Sequence, residues 1–328
     1  MNTSVLSKLI SNSKQINQSK IINNHFDGIS DLSISAVSQP TLAASSFDTS
    51  ISIYDLGTQK EIKSLKSHTK GVWTCDYHPT ENQLVSGGND NKVILWDTSS
   101  GKPIHTLTNH LNAIYDVQFS GDGKLFGSCS KDLICIWDVS NLSKPLDTIK
   151  RQYENNSFIY CLNFYDNDKK IITGFIDGTI ILHPINQASS SDTTLSLPCD
   201  YPTYTQEEDQ YAKSVYSIIK FHNINNRILI SHSDGSVRVY DIQGNDLKLK
   251  DSFYYFTSSV TCAKLSKDDK RIVACGKDRT AQVWKIDTHE EIDYTLSGHK
   301  NVISCTDFVN DNMVVTGSYD NTIRIWNL

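Results

Sequence analysis

Three sets of residues in this chain have the side chains of a hydrolase triad: His68, Ser86 and Asp90; His110, Ser128 and Asp132; His299, Thr316 and Asp320. A hydroxyl nucleophile, an imidazole base and an orienting carboxylate are the working parts of acyl transfer. The spacing argues against that use. An enzyme needs one such site, whereas these sets recur along the chain, each with a Trp behind it at Trp96, Trp137 and Trp326. An indole N–H donates, a hydroxyl accepts and donates, and an imidazole passes the chain on to a carboxylate. Each set is therefore expected to be a buried hydrogen-bond relay. A fully paired polar set of this kind specifies one packing, and a half-paired one costs stability. In the third copy Trp137 comes one residue early, which leaves the geometry of that relay open.

The carboxylates mark a period. Asp48, Asp90, Asp132, Asp177, Asp234, Asp278 and Asp320 follow one another at intervals of 42, 42, 45, 57, 44 and 42 residues. Six residues after the Asp, an apolar strand-like run ends in Tyr54, Trp96, Tyr240, Trp284 or Trp326, with His183 in that place in the fourth copy. The pair Trp-Asp stands at Trp96-Asp97 and Trp137-Asp138, and Tyr-Asp at Tyr54-Asp55 and Tyr240-Asp241. A repeat near 42 residues with these landmarks is a four-stranded unit that cannot bury its faces alone and must stack on copies of itself.

On these residues the chain resembles the WD-repeat family over about residues 14–328. The resemblance implies an all-β, seven-bladed β-propeller of four-stranded antiparallel blades, a single domain despite 328 residues. It also implies a protein that binds partners, catalyses nothing and needs no cofactor. Ala44, Ile230 and Ala274 stand where the relay hydroxyl belongs in other copies, and those blades are expected to rely on apolar packing.

The segment IINNH ending at His25 matches those ending at His68, His110 and His299, which in such a family form the outer strand of the preceding blade. The first copy has no preceding blade, and no outer strand follows the seventh. The segment near 15–23 is therefore expected to pair with 322–327 and close the ring, leaving no open edge there. Residues 1–13 lie outside the ring, either as a tail or as a short helix, since Val5, Leu6, Leu9 and Ile10 have helical spacing. The irregularity at about 186–212 reads as an exposed insertion, in which TTLSLPC could be an outer strand. Its acidic, Tyr-rich piece DYPTYTQEEDQY is either a docking segment or a tolerated surface loop.

A net charge of −6 and a pI near 5.9 disfavour non-specific nucleic-acid binding. The eight Cys contain no CxxC pair, and the remaining His residues (His78, His105, His183, His222, His232, His289) repeat at no ligand spacing. No metal site is expected. Small buried thiols point to a reducing compartment. With no signal-like start and no apolar run long enough to span a bilayer, the expectation is a cytoplasmic protein, the nucleus also open, monomeric on its own.

The resemblance implies that ligands bind on the top face around the central channel, where the first strands begin. Trp73, Tyr115 and Tyr160 occupy equivalent positions in consecutive copies. Tyr216 continues them if the fifth copy is read in one register, and Ser217 stands there in the other. Rigid aromatics with a polar tip anchor interfaces, although aromatics here could also wedge between blades. Lys131, Lys277 and Tyr319 precede the turn Asp, and Lys70, Lys213 and Lys300 lie in entering loops. Aromatics flanked by Lys would suit an acidic or phosphorylated peptide, with Asp116 working against it. The expected role is a scaffold subunit of a larger complex, or else an adaptor that reads a short client peptide on this face. An RNA-stacking role is the weaker alternative.

Overall fold

The computed structural model describes residues 3–35, 37, 40–150, 158–185, 193–195, 214–288 and 291–328. Seven antiparallel sheets form the blades of a ring. In blade two, Val72–Tyr77 lies innermost, followed outward by Gln83–Gly88, Val93–Asp97 and Lys102–Leu107. Innermost strands contact their neighbours around the axis. Middle strands, rich in Ile, Val and Leu, are buried on both faces, whereas the outermost strand of blade one, Lys60–Lys66, is largely exposed.

There is no single core. Seven apolar clusters among the described residues lie between consecutive blades. Trp96 of blade two packs with Ile51 and Ile53 of blade one. Trp326 of blade seven packs with Val283 and Leu296 of blade six. Ile323 and Ile325 of blade seven meet Leu32 and Tyr54 of blade one, so the last interface is built like the others. In every blade but the fourth, the aromatic that ends the third strand thus fills the gap to the preceding blade.

Closure uses the N-terminal region, but not as one segment. Helix α1 (Thr3–Asn12) sets Leu9 and Ile10 against the cluster between blades five and six. Strand β1 (Lys14–Ile16) then runs parallel to Tyr294–Ser297 as a fifth strand on blade six. Ser13 Oγ lies 2.7 Å from Thr295 Oγ1, and Lys14 N donates to Asp293 O at 3.0 Å. Strand β2 (Lys20–Ile22) pairs antiparallel with Ile323–Asn327 and completes blade seven. The expectation that 15–23 serve blade seven alone is therefore corrected. Docking of α1 directs the following residues along blade six, and the chain reaches blade seven only at Lys20.

Six turn carboxylates, those of Asp48, Asp90, Asp177, Asp234, Asp278 and Asp320, each accept the N–H two residues on. The residue between is left-handed, for example Thr49 (φ 77°), Asn91 (φ 63°) and Asn321 (φ 68°). An Asx turn tolerates such a residue because the side-chain acceptor replaces a backbone one.

Of the insertion, only Thr193–Leu195 is described. It is the outer strand of blade four, paired with Ile180–Pro184. The DYPTYTQEEDQY segment, Cys199, Lys213 and His289 lie outside the described residues. Among the described residues, no helix is long and apolar enough to cross a membrane, and no cluster of His, Cys, Asp or Glu is arranged to hold a metal ion.

Candidate functional site: the mouth of the central channel

The turns that frame the channel are fixed by the relays. In blade two, Trp96 Nε1 donates to Ser86 Oγ at 2.8 Å, Ser86 Oγ lies 2.8 Å from His68 Nε2, and His68 Nδ1 lies 2.9 Å from Asp90 Oδ1. In blade seven, the corresponding distances through Trp326, Thr316, His299 and Asp320 are 2.9, 2.7 and 2.9 Å. Ser86 and Thr316 are fully buried, so no substrate reaches these hydroxyls. The carboxylates also accept the backbone N–H of Thr69 and Lys300, which pins the loop entering each first strand. Burial opposes ionisation of Asp90 and Asp320, but the hydrogen bonds from His68 and His299, added to those from the backbone N–H of Thr69 and Lys300, together outweigh it and hold both carboxyls below the usual range.

Blade three departs from the expected relay. Trp137 Nε1 donates to Ser128 Oγ at 3.0 Å and His110 Nε2 lies 2.8 Å from the same oxygen, so the early Trp still reaches its partner. Asp132, however, is not the end of the chain. His110 Nδ1 lies 2.9 Å from Ser130 Oγ, while Asp132 accepts from Asn112 Nδ2 at 3.0 Å. The cause is the missing residue: the left-handed position after the Asp is the one deleted, and Leu133 already begins the strand. Without a carboxylate bonded to it, buried His110 has its pKa pushed down to about 4.

The other blades compensate differently. Blade four links Thr173 Oγ1 to His183 Nε2 at 2.9 Å, with His183 in the aromatic's place. Blade six, with Ala274, packs Trp284 edge-on against Tyr255 at 5.2 Å between ring centroids. Blade one keeps the His25–Asp48 contact at 2.9 Å, but beside Ala44 the buried His25 Nε2 has no hydrogen-bond partner.

Every innermost strand carries a bulge at its second residue. These residues are Ser30, Trp73, Tyr115, Tyr160, Tyr216, Thr261 and Ser304. A bulge re-aims a side chain and strengthens the local twist. It places Tyr216, and not Ser217, in the row with Tyr115 and Tyr160.

Four aromatics consequently touch in sequence around the mouth. Ring centroids lie 6.0 Å apart for Trp73–Tyr115, 5.9 Å for Tyr115–Tyr160 and 5.4 Å for Tyr160–Tyr216. Phe47 extends the row, at 4.8 Å from Trp73 and 5.6 Å from Tyr319. Phe158, in the loop entering blade four, stacks on Tyr115 at 5.2 Å. Lys277 Nζ sits 5.5 Å from the Tyr216 ring centroid, a cation–π contact. Trp73, Tyr115, Tyr160, Tyr216, Lys277 and Tyr319 all line one cavity of about 410 Å³ on the axis. Lys131 is exposed and does not line it; the shortened turn of blade three accompanies this departure. Lys70 and Lys300 are exposed and likewise stand outside it.

Beside the aromatics the wall carries charged side chains of both signs. Asp31 and Asp116 follow the bulge residues of blades one and three and line the same cavity. Asp116 accepts Leu162 N at 2.9 Å, and Asp31 accepts Leu32 N at 2.8 Å. Lys264 lines the cavity too; burial opposes its charge, but Asp307, Cys262, Asp31 and Asp76 together hold its pKa above the ordinary lysine value. Burial pushes Asp76 and Asp116 up to about 7, and Asp31 and Asp307 upward as well. Asp31, Phe158 and Lys264 were missed from sequence. The signal for Asp31 and Lys264 lay in the bulge, which sends alternate residues after it toward the axis. Blade four has no leading His to mark the place of Phe158.

The family profile described as "WD domain, G-beta repeat" matches residues 59–97, 101–138, 143–183, 248–285 and 290–327, more than half of the chain. The chain belongs to the WD40 repeat family. It is similar to a WD repeat domain-containing protein 83 homolog of Dictyostelium discoideum, 24% identical over 81% of this chain and 84% of that protein. It is similar to a guanine nucleotide-binding protein subunit beta of Schizosaccharomyces pombe, 24% identical over 95% of each chain. Autophagy-related protein 16 of Arabidopsis thaliana is 26% identical over 80% of this chain but only 49% of its own length, so the chain spans about half of that relative.

Proposed function

We propose that this protein is a non-catalytic interaction propeller that receives a basic side chain from a partner's extended segment at the mouth of its channel. One observation carries this reading: the unbroken arc Trp73–Tyr115–Tyr160–Tyr216 and the carboxylates of Asp31 and Asp116 line one cavity. Aromatic faces attract cations, and a carboxylate beside them completes the attraction in a site partly shielded from water. An acidic or phosphorylated residue, considered above because of the lysines, would meet those carboxylates. Of the described lysines considered at the rim, Lys277 alone lines the cavity, and it is already stacked on Tyr216.

The rim supports partner contact on the same face. Phe26 and Leu111 follow the leading His of blades one and three and are 92% and 83% exposed. Large apolar side chains left in water beside a pocket are characteristic of interaction surfaces. In this reading the protein is a subunit or adaptor in a larger assembly. Seven described cysteines, all free and buried, suit the reducing cytoplasm or nucleus.

The test is affinity capture with wild type beside Trp73→Ala, after melting curves show that both fold. Loss of a specific partner by the variant supports the reading. Identical partner sets for the two proteins contradict it and move the working surface to the blade sides or the 186–212 insertion.

A further inference from the structure

Blade six holds two cysteines on adjacent strands in direct register, Cys262 opposite Cys275. Cys262 follows the bulge residue Thr261 and lines the channel cavity, whereas Cys275 is fully buried behind it. The same pair of positions in the other blades shows how closely the side chains approach. In blade five they are Ser217 and Ser231, whose hydroxyl oxygens lie 2.8 Å apart. In blades four and seven a cysteine faces a glycine, and a Cβ placed on Gly174 or Gly317 would fall 2.7 Å from Cys161 Sγ or 2.6 Å from Cys305 Sγ. The inner and second-strand side chains thus face one another at this position, in blade six Cys262 interacts with Cys275, and only there are both residues thiols.

We infer that Cys262 and Cys275 are a reversible redox pair, oxidised through the channel by a hydroperoxide to a cross-strand disulfide. The Cys262 thiolate attacks one peroxide oxygen, the O–O bond breaks, water leaves when the oxidant is hydrogen peroxide, and Cys262 becomes a sulfenic acid. The Cys275 sulfur attacks the Cys262 sulfur, the S–O bond breaks, a second water leaves and the S–S bond forms. Each sulfur loses one electron, the peroxide gains two, and the two thiol protons end in water.

Two features assign the order of attack, and a third allows the bridge. Cys262 is the one that reaches the cavity. The Cys262 thiol is stabilised as thiolate by its contact with Cys275, against burial and with help from Lys264, whereas burial raises the Cys275 thiol well above its ordinary value. Directly opposed cross-strand residues have Cα atoms about 4.5–5.5 Å apart, inside the disulfide range of about 4.4–6.8 Å. The Cβ spacing of such pairs, about 4.5–5.5 Å, exceeds the disulfide mean of about 3.8 Å, so the strands must draw together and the bond is readily reduced. Oxidation also removes the Cys262 thiol proton aimed at Thr306 O, 3.9 Å away in blade seven, and so loosens one tie between the last two blades.

The experiment is titration of the folded, fully reduced protein with hydrogen peroxide, read by intact mass and tryptic mapping. Lys264, Lys267, Lys270 and Arg271 separate the two cysteines, so a bridge appears as two linked peptides. Wild type is expected to lose two hydrogens, with Cys262 linked to Cys275, and to recover them with dithiothreitol. Cys275→Ser should stop at added oxygen on Cys262, and Cys262→Ser should leave Cys275 unmodified. Serine at both places is what blade five already carries, and melting curves check that each variant folds. Cys305→Ser should change nothing. A wild-type protein that gains oxygen without bridging, or bridges Cys262 to Cys305, overturns the assignment. So does bridging that appears only above the melting temperature.

Discussion

Trp73 Nε1 donates to Asn89 Oδ1 at 2.7 Å, so the indole on the innermost strand of blade two is tied to the turn of its own blade. Held there, the ring stands at the channel mouth with Phe47 edge-on against it and remains partly exposed. An aromatic acting only as packing between blades would be buried, as Trp96 is. Asn89→Ala is expected to leave the ring folded, with a melting temperature within a degree or two of wild type. It should weaken partner capture several-fold by releasing the indole, because pre-orientation of an anchor is part of its affinity. Unchanged capture would show that the orientation of Trp73 is irrelevant to binding.

The incomplete relay of blade one should be repairable. Ala44 lies opposite Leu32 just as Ser86 lies opposite Cys75, and it is fully buried beside the unpartnered His25 Nε2. Ala44→Ser is expected to stabilise the fold by about 1 kcal/mol through a new hydrogen bond. Ser86→Ala strands both His68 Nε2 and Trp96 Nε1 and should cost about 2–4 kcal/mol. Denaturant melts of the two variants check both signs. A destabilising Ala44→Ser would mean that the added oxygen clashes rather than bonds.

Much of this architecture is legible in the residues themselves. The turn Asp, the relay His and the closing Trp recur because each is bound to a fixed geometry, and a fixed geometry repeats in sequence. Asp132 misled because the deletion falls inside the turn and moves the carboxylate without changing its identity. The second part of the N-terminal region, Lys20–Ile22, announced its role through the His25 landmark. The pairing of Lys14–Ile16 with blade six depends on where α1 docks, a tertiary choice that no local pattern records. The aromatic arc could be counted from the repeats. The cavity carboxylates could not, because which residues of an innermost strand face the axis is decided by the bulge.

The carboxylates of the cavity predict a pH signature. Burial pushes the Asp116 carboxyl up to about 7 in the fold, against about 3.8 when unfolded. The folded state therefore binds its proton more tightly, and stability is lost as pH rises from about 4 through 7. Asp116→Asn removes that loss while keeping an acceptor for Leu162 N. It should raise stability at pH 8 by ~1–2 kcal/mol, allowing for the water in the channel, and by less than about half as much at pH 5. Equal effects at both pH values would show that Asp116 is not protonated in the channel.

The N-terminal region divides into two tests. Removing residues 1–18 takes away α1 and β1 but keeps β2. The ring should stay closed and melt a few degrees lower, with concentration-dependent association through the bared outer edge of blade six. Removing residues 1–23 also takes Ile22 from the cluster joining blades seven and one and should cost substantially more. Equal melting temperatures for the two truncations would mean that β2 does not close the ring.

Selection of a cation by the mouth is what the proposed function requires. A random linear peptide display library panned on the folded protein, in parallel with Trp73→Ala and Asp116→Asn, tests this. Binders are expected to be enriched in Arg or Lys at one position, with affinity that rises between pH 6 and 8 as the cavity carboxylates ionise. Each variant should lose about tenfold or more, or ~1.4 kcal/mol. Enrichment of acidic residues, or binders equally well held by both variants, would contradict it.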